Sequence, residues 1–357
     1  MLASAPHRRS EIYRVGMVIP LQGPGGIFGP SCMAVSELAR RELNAGAGFG
    51  GREIQLEFID GGRDPRAVTA EVSDLLDAGA LDAISGWHIS SIRRHLAPVV
   101  RGRVPYVYTS LYEGGEVSSN VYCSGESPEQ QIYPAMRWLR DHHGVRSWYV
   151  VGADYIWPLR TYQLIGHFAA ALGVDIVGSS FVPMGRADDP QLPVMAAESR
   201  CQAVLTLLVG QDAVDFHRNF AARDLHHRML RFSPLMEENM LLAGGAETTE
   251  NLFASAAYFR ALNTESSLQF VGSYVNANGY EAPALNNMAE SCYQGIYALS
   301  HLARRAGGLD PTRCDARIDG LEFDSPRGVV RFEGNQARQQ IYLAQANGLD
   351  FEVVAAL

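Results

Sequence analysis

The sequence predicts an α/β protein of two doubly wound lobes, each a parallel sheet with helices on both faces. Short β-rich apolar runs alternate with segments of helical spacing along the chain, which is typical of parallel sheets. The alternation begins at Arg14, pauses near Gly125 and starts again at Ser127, so two units are expected. The length of 357 residues also exceeds what one core of ordinary size organises.

The first series is defined by apolar periodicity and by the residues that interrupt it. Residues 14–21 form a β-rich run ended by the glycine-rich turn 23–26, and residues 31–43 carry apolar side chains at helical spacing. Further strands and helices are predicted over residues 54–59, 65–76, 83–86, 90–100 and 105–108. These repeated units predict one parallel sheet covered by helices.

The second series begins with a helix to Arg140, for which Ser127 is a suitable N-cap and Pro128 fits the first turn. Alternating strands and helices are then predicted over residues 148–152, 160–172, 175–182, 189–198, 203–209, 213–223 and 229–233. The chain is completed by an extended run over residues 254–259 and a long helix over residues 286–306. Two strands then follow, over residues 328–333 and 341–345.

The chain must pass between the two lobes, and three crossovers are predicted at residues 123–125, 254–259 and 324–328. They divide the chain into a first lobe of residues 12–124 plus 254–326 and a second lobe of residues 125–253 plus 327–357.

Composition and charge exclude several classes of protein. The net charge is −9 and no dense basic stripe is present, so direct binding to nucleic acid or to an anionic membrane is not expected. The longest apolar runs, such as residues 203–209, fall far short of the roughly 20 residues that a membrane span needs. The five cysteines are far apart and form no Cys-x-x-Cys pair, which is typical of buried thiols in a reducing compartment.

The first ten residues lack the apolar region of a secretory signal, which predicts a cytoplasmic protein. A periplasmic location is the alternative if Met1 is not the native start and a signal has been removed. The oligomeric state, including a homo-oligomer, stays open.

Polar and aromatic side chains follow strand ends in both halves of the chain. Ser90 opens a helix, where it can donate to a carbonyl or carboxylate oxygen together with free N–H groups, or simply cap the helix. Tyr108 and Ser110 follow the next strand and can bind an uncharged amide, or serve as a core aromatic and a turn residue. Tyr155 and Trp157 stand two apart in a loop predicted to be extended, so they should face the same side, over a ligand or in packing between lobes.

Acidic and imidazole groups add a weaker signal. Glu237 follows Pro234 and can accept hydrogen bonds from an NH₂ group or pair with an ammonium, whereas Glu238 is predicted to be solvated surface. His88 can donate to a ligand or be a satisfied structural histidine. The adjacent pairs 142–143 and 226–227 should diverge, without metal-ligand spacing. We therefore predict no metal, no cofactor and no catalytic residue.

The turn 23–29 lies between a strand and a helix, where a dinucleotide-binding fingerprint would sit. Phe28 occupies the place of the third glycine, and Asp60 is farther on than the roughly 20 residues usual for a ribose-binding acid. We interpret this turn as the mouth of a cleft. An NAD-linked or hydrolytic enzyme is the least favoured hypothesis for function.

Six segments of the chain together resemble one known family. They are residues 86–94 (GWHISSIRR), 112–116 (YEGGE), 119–122 (SNVY), 127–131 (SPEQQ), 154–158 (DYIWP) and 320–328 (GLEFDSPRG). The chain is similar to type I periplasmic binding proteins from Val15 to about Gln345. Within that family it resembles the urea-binding subunits of ABC importers and the cytoplasmic amide receptors that negatively regulate aliphatic amidase expression.

The resemblance implies a Venus-flytrap fold whose lobes close on a ligand without catalysis. It implies ligand contacts from Ser90, Tyr108 and Ser110 in the first lobe and from Tyr155, Met236 and Glu237 in the second. The chain departs from the family pattern at His88, Leu111, Trp157 and Met236, which all touch the expected pocket.

The predicted function is a receptor for a small neutral amide or urea, acting as a cytoplasmic ligand sensor that regulates amidase-type gene expression. By the resemblance, its partner is an RNA-binding antiterminator protein. The alternative is the substrate-binding subunit of an ABC importer, which hands urea, an amide or a branched-chain amino acid to a permease.

Overall fold

A computed structural model describes residues 12–357, in which strands and helices alternate. The strands are β1 (Ile12–Ile19), β2 (Glu53–Asp60), β3 (Ala83–Gly86), β4 (Tyr106–Tyr108), β5 (Val121–Cys123), β6 (Ser147–Ala153), β7 (Asp175–Val182), β8 (Ala203–Leu207), β9 (Leu230–Ser233), β10 (Leu252–Ala256), β11 (Glu322–Ser325), β12 (Gly328–Glu333), β13 (Gln336–Arg338), β14 (Tyr342–Asn347) and β15 (Asp350–Ala356). The helices are α1 (Gly29–Ala45), α2 (Pro65–Asp77), α3 (Ser90–Val100), α4 (Pro128–His143), α5 (Ile156–Leu172), α6 (Gln191–Glu198), α7 (Gln211–Ala221), α8 (Glu238–Gly244), α9 (Glu265–Asn278), α10 (Asn287–Ala306) and α11 (Pro311–Ile318).

The strands form two sheets, one in each lobe. The first has the order β11-β12-β13-β5-β4-β3-β1-β2, and the second has the order β15-β14-β10-β9-β8-β6-β7. The predicted fold of two doubly wound α/β lobes is confirmed. The sheets are mixed rather than purely parallel, because β11–β12–β13 and β14–β15 pair antiparallel at the edges.

The parallel parts of the two sheets share one topology. The first five strands of each lobe have the spatial order second, first, third, fourth, fifth, which places a switch point between β1 and β3 and another between β6 and β8. Open α/β sheets bind ligands beside such switch points, at the carboxyl ends of the strands. All five residues of β8 are buried, as expected for a parallel strand covered on both faces.

The chain crosses between the sheets at residues 124–127, 257–264 and 339–341. The predicted third crossover at residues 324–328 is instead a hairpin within the first sheet, in which Ser325 pairs with Gly328. Residues 328–338 therefore lie in the first sheet, where Gln336 pairs with Cys123, and β10 lies in the second. Apolar alternation identifies an edge strand but not the sheet that it joins. The predicted lobe assignments of β10 and of residues 328–338 are therefore wrong.

Helix α5 begins at Ile156, four residues before the predicted start. Tyr155 is its N-cap and Trp157 lies in its first turn, so the prediction of an extended loop through both residues is wrong. Pro158 is also in that first turn, where its missing N–H leaves no intrahelical hydrogen bond unmade.

All five cysteines are buried and unpaired, as the sequence predicts. Among residues 12–357 the structure contains no helix with both the length and the apolar content of a membrane span.

Candidate functional site

The predicted site residues lie at the carboxyl ends of strands beside the two switch points. Ser90 follows β3, Tyr108 ends β4 and Tyr155 follows β6. The chain leaves β3 through Gly86, which has a φ of 124°. A Cβ atom there would lie 2.3 Å from the Val18 carbonyl oxygen, so only glycine lets the Ser90 loop start so close to β1.

The lobes touch at the cleft through backbone atoms. Gly210, just after β8, has a φ of 52°, and a Cβ atom there would lie 2.0 Å from the carbonyl oxygen of Pro24. Pro24 begins the short 3₁₀ turn Pro24–Phe28 of the first lobe. The glycine-rich turn that resembles a dinucleotide loop therefore lies directly against the second lobe.

Both ring nitrogens of His88 form hydrogen bonds inside the first lobe. Its Nδ1 lies 3.0 Å from the carbonyl oxygen of Val18, which can only accept, so Nδ1 carries the proton. Its Nε2 then accepts from the Tyr106 hydroxyl at 2.5 Å. Burial lowers the pKa of His88 to about 3, so the ring is neutral. Neither ring nitrogen is left to bind a ligand. His88 therefore fits the second of its two predicted roles, that of a satisfied structural histidine.

Ser110 and Tyr108 hold the loop that contains His88. The Ser110 hydroxyl donates to the His88 carbonyl at 2.7 Å and accepts from the His88 N–H at 2.8 Å. The Tyr108 hydroxyl donates to the same carbonyl at 2.9 Å, and burial raises its pKa. Both residues have used their donor protons, so toward a ligand they offer acceptor lone pairs and apolar surface.

Ser90 is buried and weakly bonded. Its hydroxyl lies 3.5 Å from both the Tyr108 hydroxyl and Nη1 of Arg93, at the outer limit of a hydrogen bond. The N-cap of α3 is Ile89, which cannot cap the helix with its side chain, so Ser90 is the first helical residue rather than the cap. The hydroxyl and the first N–H groups of α3 are therefore available as donors.

Arg93, one turn along α3 from Ser90, was missed by the sequence predictions. Its guanidinium is buried, with Nη2 2.7 Å from Oε1 of Glu113 and Nε 3.0 Å from Oε2 of Glu116. It also lies over the rings of Tyr108 and Tyr112, at 5.1 and 4.8 Å from their centroids. One cation and two carboxylates leave this group with a net charge of about −1. The segments 86–94 and 112–116 contain all three charges, but nothing in the sequence pairs them.

Tyr155 faces the first lobe from the second. Its hydroxyl forms no hydrogen bond with any described residue. Burial raises the pKa of Tyr155 well above its ordinary value. Electrostatic interactions with Tyr108 and Glu113 of the first lobe, and then with Asp212, raise this pKa further. Tyr155 and Tyr108 therefore lie within electrostatic range of each other, on different lobes. Trp157 is buried within the second lobe, with its ring centroid 6.2 Å from that of Tyr155 and its Nε1 without a partner.

Glu237 is the N-cap of α8. Its Oε2 accepts from the N–H of Asn239 at 2.9 Å and its Oε1 accepts from the N–H of Met240 at 3.0 Å. Burial raises the pKa of Glu237 to about 8, and the charge of Glu238 adds to this effect. Glu237 also contributes to the raised pKa of Cys32, so this loop lies near α1 of the first lobe. Met236 beside it is buried.

Glu238 is buried, so the prediction of a solvated surface acid is wrong. Its Oε1 accepts from the main-chain N–H of Arg260 at 2.8 Å, and burial raises its pKa to about 7. That partner is 22 residues farther along the chain, which the local sequence does not reveal.

A cavity of about 590 Å³ opens between α3 of the first lobe and α5 of the second. Arg93 and Glu113 form part of its wall, and the basic residues Arg94, Arg101 and Arg160 surround it. None of the eight predicted site residues lines this cavity. Because Arg93 borders both the cavity and Ser90, its ion pair with Glu113 lies between them.

Residues 12–350 match the model of a family described as periplasmic binding protein. The chain belongs to this family. Its members are binding proteins, so the enzyme hypothesis is not taken further. Helices α3 and α5 both line the cavity between the lobes of this periplasmic binding protein, through residues 93–98 and 160–167.

Solved structures share the same fold. A solute binding protein of an ABC transporter from Rhodopseudomonas palustris, in complex with p-hydroxybenzoic acid, has a TM-score of 0.86 and 17% identity over 97% of each chain. A periplasmic binding protein from Burkholderia mallei has a TM-score of 0.87 and 16% identity over 97% of this chain and 95% of that chain. A branched-chain amino acid transporter substrate binding protein from Streptococcus pneumoniae, in complex with isoleucine, has a TM-score of 0.84 and 14% identity over 97% of this chain and 99% of that chain.

Proposed function

We propose that this chain closes its lobes on a small neutral solute with a carbonyl oxygen, such as a short amide or urea, and delivers it to an ABC importer. The observation that carries the proposal is the uncapped start of α3 at Ser90, opposite the unbonded hydroxyl of Tyr155. These donors come from different lobes, so a ligand contacts both only when the cleft is closed.

The donors near Ser90 favour an oxygen acceptor. Several other helices have a polar side-chain cap, for example Asp64 on α2, Thr264 on α9 and Asp310 on α11. Helices α3 and α5 have Ile89 and Tyr155 in that position, and neither makes a side-chain cap hydrogen bond. The N–H groups and partial positive charge at the start of α3 suit a carbonyl oxygen.

The charge beside Ser90 favours a neutral ligand over an anionic one. Arg93 is the buried cation next to Ser90, and Glu113 and Glu116 already more than neutralise it. A carboxylate at Ser90 would therefore face a net negative group across a few ångströms of low-dielectric space. An amide or urea oxygen takes the same hydrogen bonds without that repulsion.

Delivery to a permease is the role that the comparisons support best. The similar proteins from Rhodopseudomonas palustris and Streptococcus pneumoniae are described as transporter binding proteins. This role places the chain in the periplasm, the alternative to the cytoplasmic location expected above. The regulatory role, with an RNA-binding antiterminator as partner, is a second hypothesis that depends on the resemblance of the six segments to amide receptors.

The ligand class is tested by thermal shift and isothermal titration calorimetry with acetamide, urea, p-hydroxybenzoic acid and isoleucine. A ligand that binds only the folded state raises the melting temperature, so we expect a rise with acetamide or urea and none with the two carboxylates. A rise with a carboxylate alone would reject the neutral ligand. No rise with any compound in this panel would count against the whole proposal.

The role is tested in cells that lack the gene. Delivery predicts that uptake of the labelled ligand falls in these cells and that amidase expression stays unchanged. Unchanged uptake with altered amidase expression would reject delivery and support the regulatory hypothesis.

A further inference from the structure

A cluster of two histidines and a glutamate lies at the end of the second lobe opposite the cleft. His226 and His227 lie in the 3₁₀ turn Leu225–His227 before β9, and Glu250 lies shortly before β10. Strands β9 and β10 are parallel neighbours, with Leu252 beside Arg231. Residues that precede neighbouring parallel strands meet at the same edge of the sheet, so this cluster is at the amino edge, away from Ser90 and Tyr155.

The three side chains are close enough to share one ion. One ligand atom from each lies within 4.8 Å of those from the other two. Nδ1 of His227 is 2.8 Å from Oε2 of Glu250, and the two imidazole centroids are 3.8 Å apart. Ligands about 2.1 Å from a tetrahedral zinc ion lie about 3.4 Å apart, so modest side-chain rotation is enough. The two imidazole rings lie together, so the prediction that this histidine pair diverges is wrong. The third group, Glu250, is 23 residues away from His227, which the local sequence does not reveal.

His226 supplies an independent observation. It is only 7% exposed, and its Nδ1 is buried without a hydrogen-bond partner. An unpartnered buried polar atom is costly, and a metal ion would satisfy it. The hydrogen bond between His227 and Glu250 accounts for those two side chains but leaves His226 unexplained.

We propose that His226, His227 and Glu250 form a binding site for a divalent transition-metal ion such as Zn²⁺. Two imidazole nitrogens and a carboxylate oxygen are a ligand set that zinc accepts, with water in the fourth position. The side chains of His227 and Glu250 are 54% and 56% exposed, so water reaches the site. A bound ion would tie the turn before β9 to the loop before β10 and stabilise the second lobe without contacting the cleft.

The charges around the site are compatible with this ion. Burial lowers the pKa of His226, and the charges of His227 and Arg231 lower it further. Glu250 supplies negative charge. Asp224 adds a second negative charge near the His226 imidazole. The nearby cation is the buried Arg231, which donates to the Glu250 carbonyl oxygen at 2.5 Å.

The test uses full-length protein that has been freed of metal with a chelator and titrated with Zn²⁺ at pH 7.5. We expect one ion per chain, a higher melting temperature, and at least tenfold weaker binding in His227→Ala and in Glu250→Gln. Both positions are exposed, so these variants should fold. Binding of the neutral ligand should be unchanged in both, which separates this site from the proposed function.

The double variant His142→Ala/His143→Ala is the matched control, because it removes a different pair of adjacent histidines, both of them exposed, at the end of α4. It should bind Zn²⁺ like the parent. No saturable binding, equal binding by the two site variants, or loss of binding in the control would each overturn the proposal.

Discussion

The side chain of Glu126 accepts a hydrogen bond from the main-chain N–H of Ala257 at 2.9 Å, which joins the first and second crossovers between the lobes. The same carboxylate oxygen accepts from Nδ2 of Asn287 at 3.1 Å and lies 3.7 Å from Nη1 of Arg327. Arg327 also donates to Glu290. The base of the hinge therefore holds two buried carboxylates around one buried guanidinium.

Replacing Arg327 with methionine should destabilise the protein by about 3–5 kcal/mol, because Glu126 and Glu290 would remain buried without a cation. Urea unfolding measures the change. Arg331→Met is the control, since Arg331 lies on the same hairpin but makes only an exposed ion pair with Glu322 at 3.8 Å. Such exposed pairs contribute at most about 1 kcal/mol. Similar losses in both variants would show that the buried triad has no special role.

Replacing Gly210 with alanine should hinder closure, because the new Cβ atom would meet the Pro24 carbonyl oxygen. We expect ligand binding to weaken at least tenfold, while unfolding changes by only about 1 kcal/mol from the left-handed φ. Calorimetry measures binding, and small-angle scattering should show a larger radius of gyration in the presence of ligand. Gly166→Ala, in α5 with open space around its Cβ position, is the control and should bind normally.

Much of the fold could be predicted because local signals mark the strands. The predicted strands at residues 83–86, 175–182 and 328–333 have the bounds of β3, β7 and β12. Apolar runs bounded by turn residues are sufficient for such assignments. The sheet that β12 joins is not a local property, because it depends on the hairpin with β11 and on the pairing of Gln336 with Cys123.

The positions of the candidate site residues at strand ends were predicted, whereas contacts that depend on distant partners were missed. Ser90 and Tyr155 follow directly from the topology of βα units. The ion pair of Arg93 with Glu113 spans 20 residues, and its burial has no sequence signature. Trp157 was assigned to a loop, although the Pro158 that follows it is well tolerated in the first turn of a helix.

Replacing Tyr155 with phenylalanine removes the unbonded hydroxyl and keeps the ring. We expect about fivefold weaker ligand binding with unchanged stability, since one hydrogen bond contributes roughly 1 kcal/mol and the free hydroxyl makes none with residues 12–357. Tyr155→Ala should abolish the thermal shift. Tyr162→Phe, on the same helix and packed against Phe181, is the control and should bind like the parent. Equal affinities in Tyr155→Phe and the parent would remove this hydroxyl from the site.

Stability should fall as the pH rises from 5 to 9 because of Glu237. Its pKa is raised to about 8 in the folded protein, above the ordinary value of 4.5, so the folded state binds the extra proton. The stabilisation is complete below pH 4.5 and is lost as the pH rises through about 8.

In Glu237→Gln this part of the pH dependence should disappear, so the variant should lose less stability than the parent between pH 5 and pH 9. Urea unfolding at both values measures the difference, with the exposed Glu129→Gln in the first turn of α4 as the control. A parallel fall in Glu237→Gln and the parent would assign the pH dependence to other groups.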